Sequence, residues 1–198
     1  PFCDTLCYYC ACNKIITKDR SKAATYLSYL KQEIAMQAKL FAGINQIEQL
    51  HFGGGTPTYL SEKQMDELMA HLRQHFEFAP DADGEYSIEI DPRTVSRERV
   101  FSLRAQGFNR ISLGVQDFDP DVQKAVNRVQ PEAETRAIIE ASRAAGFRSV
   151  SIARRARSPS DRSSMLASLN AALSARTIWT YNSSSPIRAS SLSCCSVF

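Results

Sequence analysis

Predicted strands and helices alternate along most of this chain, and that alternation limits the fold more than any other feature. Apolar residues at helical spacing predict a helix over residues 18–41, and a short apolar run predicts a strand over residues 47–52. Further strands are predicted over residues 86–90, 110–115 and 147–152, with helical segments between them. Strands that alternate with helices form parallel βα units. We therefore expect the α/β class, with a partial TIM-like (β/α) barrel favoured over a doubly wound sheet.

Two helix starts carry strong local signals. Ser61 is followed three residues later by Gln64, the spacing of a capping box. Asp119 before Pro120 predicts an N-cap followed by proline at the first helical position. These signals fix where two of the connecting helices begin.

Chemically suggestive residues fall where the predicted strands end. A Gly-Gly-Gly-Thr-Pro run at residues 53–57 follows one strand, Glu89 lies near the end of the next, and Gln116 lies just past the third. A parallel barrel places its active site at the carboxyl ends of its strands. Because Ile88 and Ile90 flank Glu89 in an alternating strand, we expect Glu89 to point into the barrel. A glycine run alone is equally typical of a tight turn.

Three cysteines on one short N-terminal loop point to a metal centre. Cys3, Cys7 and Cys10 have the spacing C-x3-C-x2-C. Three thiolates suit a [4Fe-4S] cluster with one iron open to a substrate, whereas the usual all-protein cluster takes four cysteines. A disulfide framework is disfavoured, because the chain has a long mixed α/β pattern and shows no secretory signal.

Structural zinc is the alternative for the same loop. Cys12 could supply a fourth thiolate, although no second C-x2-C or H-x3-H pair follows, as most zinc sites require. The adjacent pair Cys194-Cys195 lies far along the chain and is read as unrelated. The spacing favours the cluster over zinc and leaves both open.

Charge and hydropathy exclude two classes of partner. Residues 1–150 hold 18 Lys and Arg against 20 Asp and Glu, so we expect no nucleic-acid-binding surface there. No apolar run approaches the length that spans a bilayer, so no membrane partner is expected. Closely spaced reduced cysteines indicate the cytoplasm.

The last part of the chain has a different composition. Residues 153–198 are rich in Ser and Arg and lack Gly, Glu, Gln, Lys and His. A natural disordered tail and an out-of-frame C-terminus are the two interpretations. We therefore predict two parts: a barrel domain over residues 1–152 and a non-matching tail over residues 153–198.

The motifs in combination resemble those of radical S-adenosylmethionine (SAM) enzymes, and within them the family of oxygen-independent coproporphyrinogen III oxidases (dehydrogenases). The resemblance covers essentially residues 1–152. It is carried by five segments, residues 1–14, 49–60, 87–92, 107–118 and 126–128.

The resemblance implies a role for each motif. Cys3, Cys7 and Cys10 would ligate a [4Fe-4S] cluster, and its open iron would bind SAM and pass an electron into the sulfonium. Gly54 would let the backbone approach this SAM closely, and Glu89 would hydrogen-bond it.

A second SAM is implied beside the first. By resemblance the residues lining it would be Tyr9, Gly55, Thr56, Gln116 and Arg128. Without the resemblance, Gln116 and Arg128 would be interpreted as polar surface residues.

The implied reaction is oxidative decarboxylation of two propionates of coproporphyrinogen III, which forms protoporphyrinogen IX in haem biosynthesis without oxygen. The implied electron donor is a flavodoxin or ferredoxin, and the enzyme is expected to be a monomer. Related haem-chaperone proteins, the alternative function, carry Phe where this chain has Cys12. Cys12 followed by Asn13-Lys14 favours the oxidase.

The chain departs from the family pattern in two ways. Ala153 stands where the family has an aspartate that contacts the second SAM, so that site is expected to be impaired. The barrel is expected to be truncated at both ends, lacking a first strand and the later strands. We therefore expect this chain not to turn over substrate by itself.

Overall fold

The fold is taken from a computed structural model, which describes residues 1–41, 43, 46–154 and 178–181. Strands in this part of the chain are β1 Phe2–Cys3, β2 Ile15–Ile16, β3 Gln46–Ile47, β4 Gln49–Phe52, β5 Glu77–Phe78, β6 Glu85–Ile90, β7 Arg110–Gln116, β8 Ser149–Arg154 and β9 Ile178–Tyr181. The helices are α1 Ser21–Leu40, α2 Glu62–His75, α3 Arg97–Ala105, α4 Pro120–Ala125 and α5 Glu132–Ala144.

The main sheet is parallel, as the alternating pattern predicts. Its strand order is β4-β6-β7-β8-β9, with Phe52 paired to Ile88 and Ile90 paired to Leu113. Strands β1 and β2 form one separate parallel pair, and β3 and β5 form another. The α/β class is therefore confirmed.

The strand predicted over residues 47–52 is in fact two strands, β3 and β4, separated at Glu48. Strand β3 pairs with β5, whereas β4 pairs with β6. The amide of Ala79 donates to the Ile47 carbonyl at 2.9 Å, and the amide of Glu85 donates to the Glu48 carbonyl at 2.7 Å. The chain changes partner at this point, so one continuous ladder cannot form.

Both predicted helix starts are confirmed. The Gln64 amide donates to Ser61 Oγ at 3.2 Å and the Ser61 amide donates to Gln64 Oε1 at 3.0 Å, completing the capping box of α2. Asp119 Oδ1 accepts from the amides of Asp121 and Val122 at the start of α4. These caps satisfy amides that have no partner within a helix.

One face of the sheet packs against the helices and the other carries polar groups. On β6, Ile88 and Ile90 are 0% and 3% exposed and join one core with Met65 of α2 and Val100 of α3. The Glu89 side chain is 48% exposed on the opposite face. Glu89 therefore points away from its two isoleucine neighbours, as the alternation predicts, and its place inside a barrel stays a prediction.

The predicted tail begins inside strand β8. Strand β9 lies parallel to β8, with Val150 paired to Ile178. Residues 155–177 and 182–198 lie outside the described residues, so both interpretations of the tail remain predictions. No helix in the described ranges is both long and apolar enough to cross a membrane.

Candidate metal and cofactor site

The cysteine loop is held in place by hydrogen bonds between its backbone and two distant turns. The Thr56 amide, in the glycine run, donates to the Phe2 carbonyl at 2.8 Å. The Tyr8 amide donates to the Val126 carbonyl at 3.1 Å, and Asn127 Nδ2 donates to the Leu6 carbonyl at 2.7 Å. The structure therefore joins three segments that are far apart in sequence.

The cysteines of this loop differ in exposure. Cys7 is buried, Cys3 and Cys10 are half-buried, and Cys12 is exposed, all as free thiols. Thr56 Oγ1 donates a hydrogen bond to Cys3 Sγ at 3.4 Å. Three buried or half-buried thiols are the number of protein ligands that a cluster with one open iron requires. The exposed Cys12 is hydrogen-bonded to Cys10.

Zinc gathers its four ligands around a single centre. No three His, Cys, Asp or Glu side chains in the described part of the chain converge as they would on one metal ion. The choice of a cluster over zinc therefore rests on the spacing of the three cysteines and not on convergence of their side chains.

Lys14 and Cys12 favour the thiolate of Cys10. Burial opposes ionisation of Cys10, but hydrogen bonds from the backbone and thiol of Cys12 and the charge of Lys14 outweigh it and lower the pKa. Lys14 is held there because its Nζ donates to the Cys10 carbonyl at 2.7 Å. The thiolate is the form that ligates metal.

The second and third glycines of the run, Gly54 and Gly55, have different surroundings. Gly54 has φ +103°, and a Cβ there would meet no atom of the described chain within 4 Å. At Gly55 a Cβ would lie 2.7 Å from the Phe2 carbonyl oxygen and 2.9 Å from the Pro1 carbonyl carbon. Gly54 therefore borders open space that a ligand could enter, whereas Gly55 lets the cysteine loop pack against the turn.

Glu89 has a histidine neighbour that sequence reasoning missed. His51 Nδ1 lies 2.7 Å from Ser87 Oγ, and His51 Nε2 lies 3.6 Å from Glu89 Oε1. His51 and Ser87 are directly paired in the ladder between β4 and β6. The strand register brings these side chains together, and only a prediction of that register could have found His51.

Arg128 is buried beside the cysteine loop. Its side chain is 9% exposed, its Nη2 donates to the Gly114 carbonyl at 2.7 Å, and its Nη1 donates to Cys7 Sγ at 3.7 Å. Its Nε is buried without a hydrogen-bond partner among the described residues. An unpaired buried donor is costly unless a ligand or water completes it.

Asp91 and Arg93 complete the surroundings of Cys7, and sequence reasoning missed both. The Asp91 carboxylate pairs with Arg93 Nη2 at 2.6 Å and with Arg128 Nη2 at 3.2 Å. Arg93 Nη2 also donates to Cys7 Sγ at 3.9 Å. Hydrogen bonds to Asp91 raise the pKa of Arg93 above its ordinary value. One carboxylate thus holds two guanidinium groups against the buried thiol.

Tyr9 and Gln116 both lie near Arg128. Burial raises the pKa of Tyr9 to about 12, against the opposing charge of Arg128 nearby. A Cβ added at Gly114 would lie 3.0 Å from Arg128 Nη2 and 3.8 Å from Gln116 Nε2, so these two side chains are neighbours. Gln116 has φ +61°, a strained conformation that often marks functional sites.

Comparison with a family model identifies the class of this protein. Residues 1–153 match the radical SAM superfamily. The match covers most of the chain, so the chain belongs to the radical SAM superfamily. Membership implies a [4Fe-4S] cluster and SAM, and the three cysteine thiols and the open space at Gly54 fit both groups.

Similar proteins agree with the resemblance seen in the motifs. The chain is 54% identical over 152 residues to the oxygen-independent coproporphyrinogen III oxidase of Pseudomonas aeruginosa, covering 77% of this chain and 33% of that protein. It is 51% identical to the corresponding Escherichia coli oxidase over the same coverage. The chain therefore spans about a third of the length of these relatives.

A solved structure supports the same fold. Coproporphyrinogen III oxidase from Escherichia coli, described as a radical SAM enzyme, superposes with a TM-score of 0.73 at 49% identity. The superposition covers 78% of this chain and 35% of that chain. The predicted radical SAM architecture is confirmed for the matched part.

Proposed function

We propose that this chain is the cluster-binding and SAM-binding part of an oxygen-independent coproporphyrinogen III oxidase. The observation that carries the proposal is the contact of two distant segments with the cysteine loop: the glycine turn at Cys3 and Arg128 at Cys7. The chain that makes these contacts is 54% identical over 152 residues to one such oxidase. The similarity supports the oxidase, and the geometry supports a site that could hold a cluster and SAM.

Cys3, Cys7 and Cys10 would hold the cluster and leave its fourth iron to SAM. When bound, the cluster and SAM together supply a one-electron reduction of a sulfonium that starts radical chemistry. The chain's own contribution is to shield this centre. Cys7 is buried, and Asp91 keeps two cationic groups beside it.

Gly54 and Glu89 would contact the first SAM. The open space at Gly54 leaves the backbone accessible to the ligand. The half-exposed Glu89 carboxylate can accept hydrogen bonds from SAM, and His51, 3.6 Å away, restricts where that carboxylate can lie.

Tyr9, Gly55, Thr56, Gln116 and Arg128 would line a second SAM. The buried, unpartnered Nε of Arg128 and the nearby amide of Gln116 support a polar ligand there. Gly55 contributes through packing, because its missing side chain lets the Phe2 backbone approach. Ala153 lacks the carboxylate that the family resemblance places at this position, so we propose weaker binding of the second SAM than of the first.

We also propose a substrate and an electron donor for this protein. The substrate would be coproporphyrinogen III, and the electron donor a flavodoxin or ferredoxin. The protein would act as a monomer in the cytoplasm. The names of the similar oxidases support the substrate proposal.

A chimera tests this function directly. Residues 1–152 of this chain would replace the matching third of the Pseudomonas aeruginosa oxidase, and decarboxylation of coproporphyrinogen III would be measured anaerobically. We expect protoporphyrinogen IX from the chimera and none from a matched chimera carrying Cys7→Ala. A chimera that binds haem but does not decarboxylate the substrate would favour the haem-chaperone alternative and contradict the proposal.

A further inference from the structure

Two guanidinium groups lie against the sulfur of Cys7, and the function proposed above places only one of them, Arg128, at a SAM. Arg128 Nη1 is 3.7 Å from Cys7 Sγ, and Arg93 Nη2 is 3.9 Å from the same atom. Arg93 belongs to the short turn Pro92–Thr94 that directly follows β6. Arg93 and Cys7 are 86 residues apart in sequence, so their contact depends on the tertiary fold.

Arg93 is held in place by the neighbouring Asp91. Its Nε and Nη2 donate to the Asp91 carboxylate at 3.0 and 2.6 Å, and its own amide donates to Asp91 Oδ1 at 3.1 Å. Two hydrogen bonds from the guanidinium and one from the backbone amide to the same carboxylate leave the side chain little freedom. One N–H of Nη2 serves Asp91, so the other is available to the sulfur of Cys7.

A fixed cation beside a ligand sulfur changes the energy of reduction. Reduction takes a [4Fe-4S]2+ cluster to [4Fe-4S]+ by one electron and so adds negative charge next to Cys7. Hydrogen bonds to cluster sulfurs, net charge and burial all set the reduction potential of such clusters. A donor hydrogen bond and a positive charge at this sulfur both stabilise the reduced state.

We infer that Arg93 acts through Cys7 to raise the reduction potential of the bound cluster. The inference rests on the cluster of the proposed function and concerns a residue that this function places at neither SAM. Arg93 would thereby make electron transfer from a physiological donor easier, without contacting SAM or substrate itself.

The test measures the midpoint potential of the reconstituted 198-residue chain and its variants. The cluster would be assembled anaerobically, and EPR would follow reduction by dithionite, the one-electron source. The variant Arg93→Gln removes the positive charge, and Arg93→Lys keeps the charge but replaces the guanidinium with an ammonium group. Arg97→Gln is the control, because Arg97 is an exposed arginine nearby in sequence.

We expect Arg93→Gln to lower the equilibrium constant for reduction about tenfold, which is about 59 mV for a one-electron couple. Arg93→Lys should shift the potential less, since the ammonium keeps the charge but cannot reproduce the forked contact. Arg97→Gln should match the parent. EPR line shape and iron content separate this effect from simple loss of cluster.

Two results would overturn the inference. Arg93→Gln could load a full cluster at the parent's potential, or both Arg93 variants could lose the cluster, which would give Arg93 a purely structural role. A parent chain that takes up no cluster would contradict the proposed function as well, so the two failures are distinguishable.

Discussion

Asp91 is the residue whose removal should most destabilise the site. Its side chain is 10% exposed and lies between Arg93 and Arg128, which are 20% and 9% exposed. The substitution Asp91→Asn keeps the size of the side chain and one acceptor oxygen but removes its charge. Two largely buried guanidinium groups would then share no counterion within the described residues.

The magnitude follows from the burial of these pairs. Removing one partner of a buried ion pair costs about 3–5 kcal/mol, because the remaining charge stays desolvated. Asparagine can still accept a hydrogen bond, so we expect the lower end, about 3 kcal/mol. Since about 1.4 kcal/mol is tenfold in an equilibrium constant, the folded-to-unfolded ratio should fall more than a hundredfold.

Urea denaturation of the cluster-free chain at pH 7, followed by far-UV circular dichroism, measures this loss. The matched control is Asp121→Asn, since Asp121 pairs with Lys124 at 3.7 Å but its side chain is 94% exposed. Exposed pairs contribute less than about 1 kcal/mol. If Asp91→Asn is no more destabilising than Asp121→Asn, the buried network contributes little and the reasoning is refuted.

Two further predictions concern packing and pH. Gly55→Ala should lower the free energy of unfolding by about 1–3 kcal/mol, because its Cβ would lie 2.7 Å from the backbone oxygen of Phe2; an equally stable variant would contradict the packing role. Tyr86 donates to the Ala79 carbonyl at 2.6 Å, and burial raises its pKa above the ordinary 10.0. The unfolded chain therefore loses this proton first, and stability should fall as pH rises above about 10. That fall should be smaller in Tyr86→Phe, and an unchanged pH profile would show that Tyr86 does not cause it.

Local patterns predicted the elements of this fold well. The Ser61 capping box, the Asp119 cap and the alternation around Glu89 depend on residues close in sequence, and each is confirmed. The break at Glu48 could not be predicted in this way. It depends on which strand pairs with residues 46–47, a choice made by β5 about thirty residues later.

The surroundings of Cys7 show the same limit. Arg128 alone would be interpreted as a surface residue, yet its side chain is nearly buried against a thiol 121 residues away in sequence. In the sequence, Asp91 and Arg93 are typical of an ordinary turn. Their spacing does not indicate that Asp91 pairs with Arg128 or that Arg93 contacts Cys7. Family resemblance recovered Arg128, whereas only the structure revealed Asp91 and Arg93.

The central claim is a three-cysteine [4Fe-4S] cluster whose open iron binds SAM. EPR of the reduced, reconstituted chain with and without SAM tests it most directly. We predict a cluster signal that changes when SAM is added, persists in Cys12→Ala and is lost in Cys7→Ala. A signal that SAM leaves unchanged, or that survives in Cys7→Ala but not in Cys12→Ala, would contradict the account.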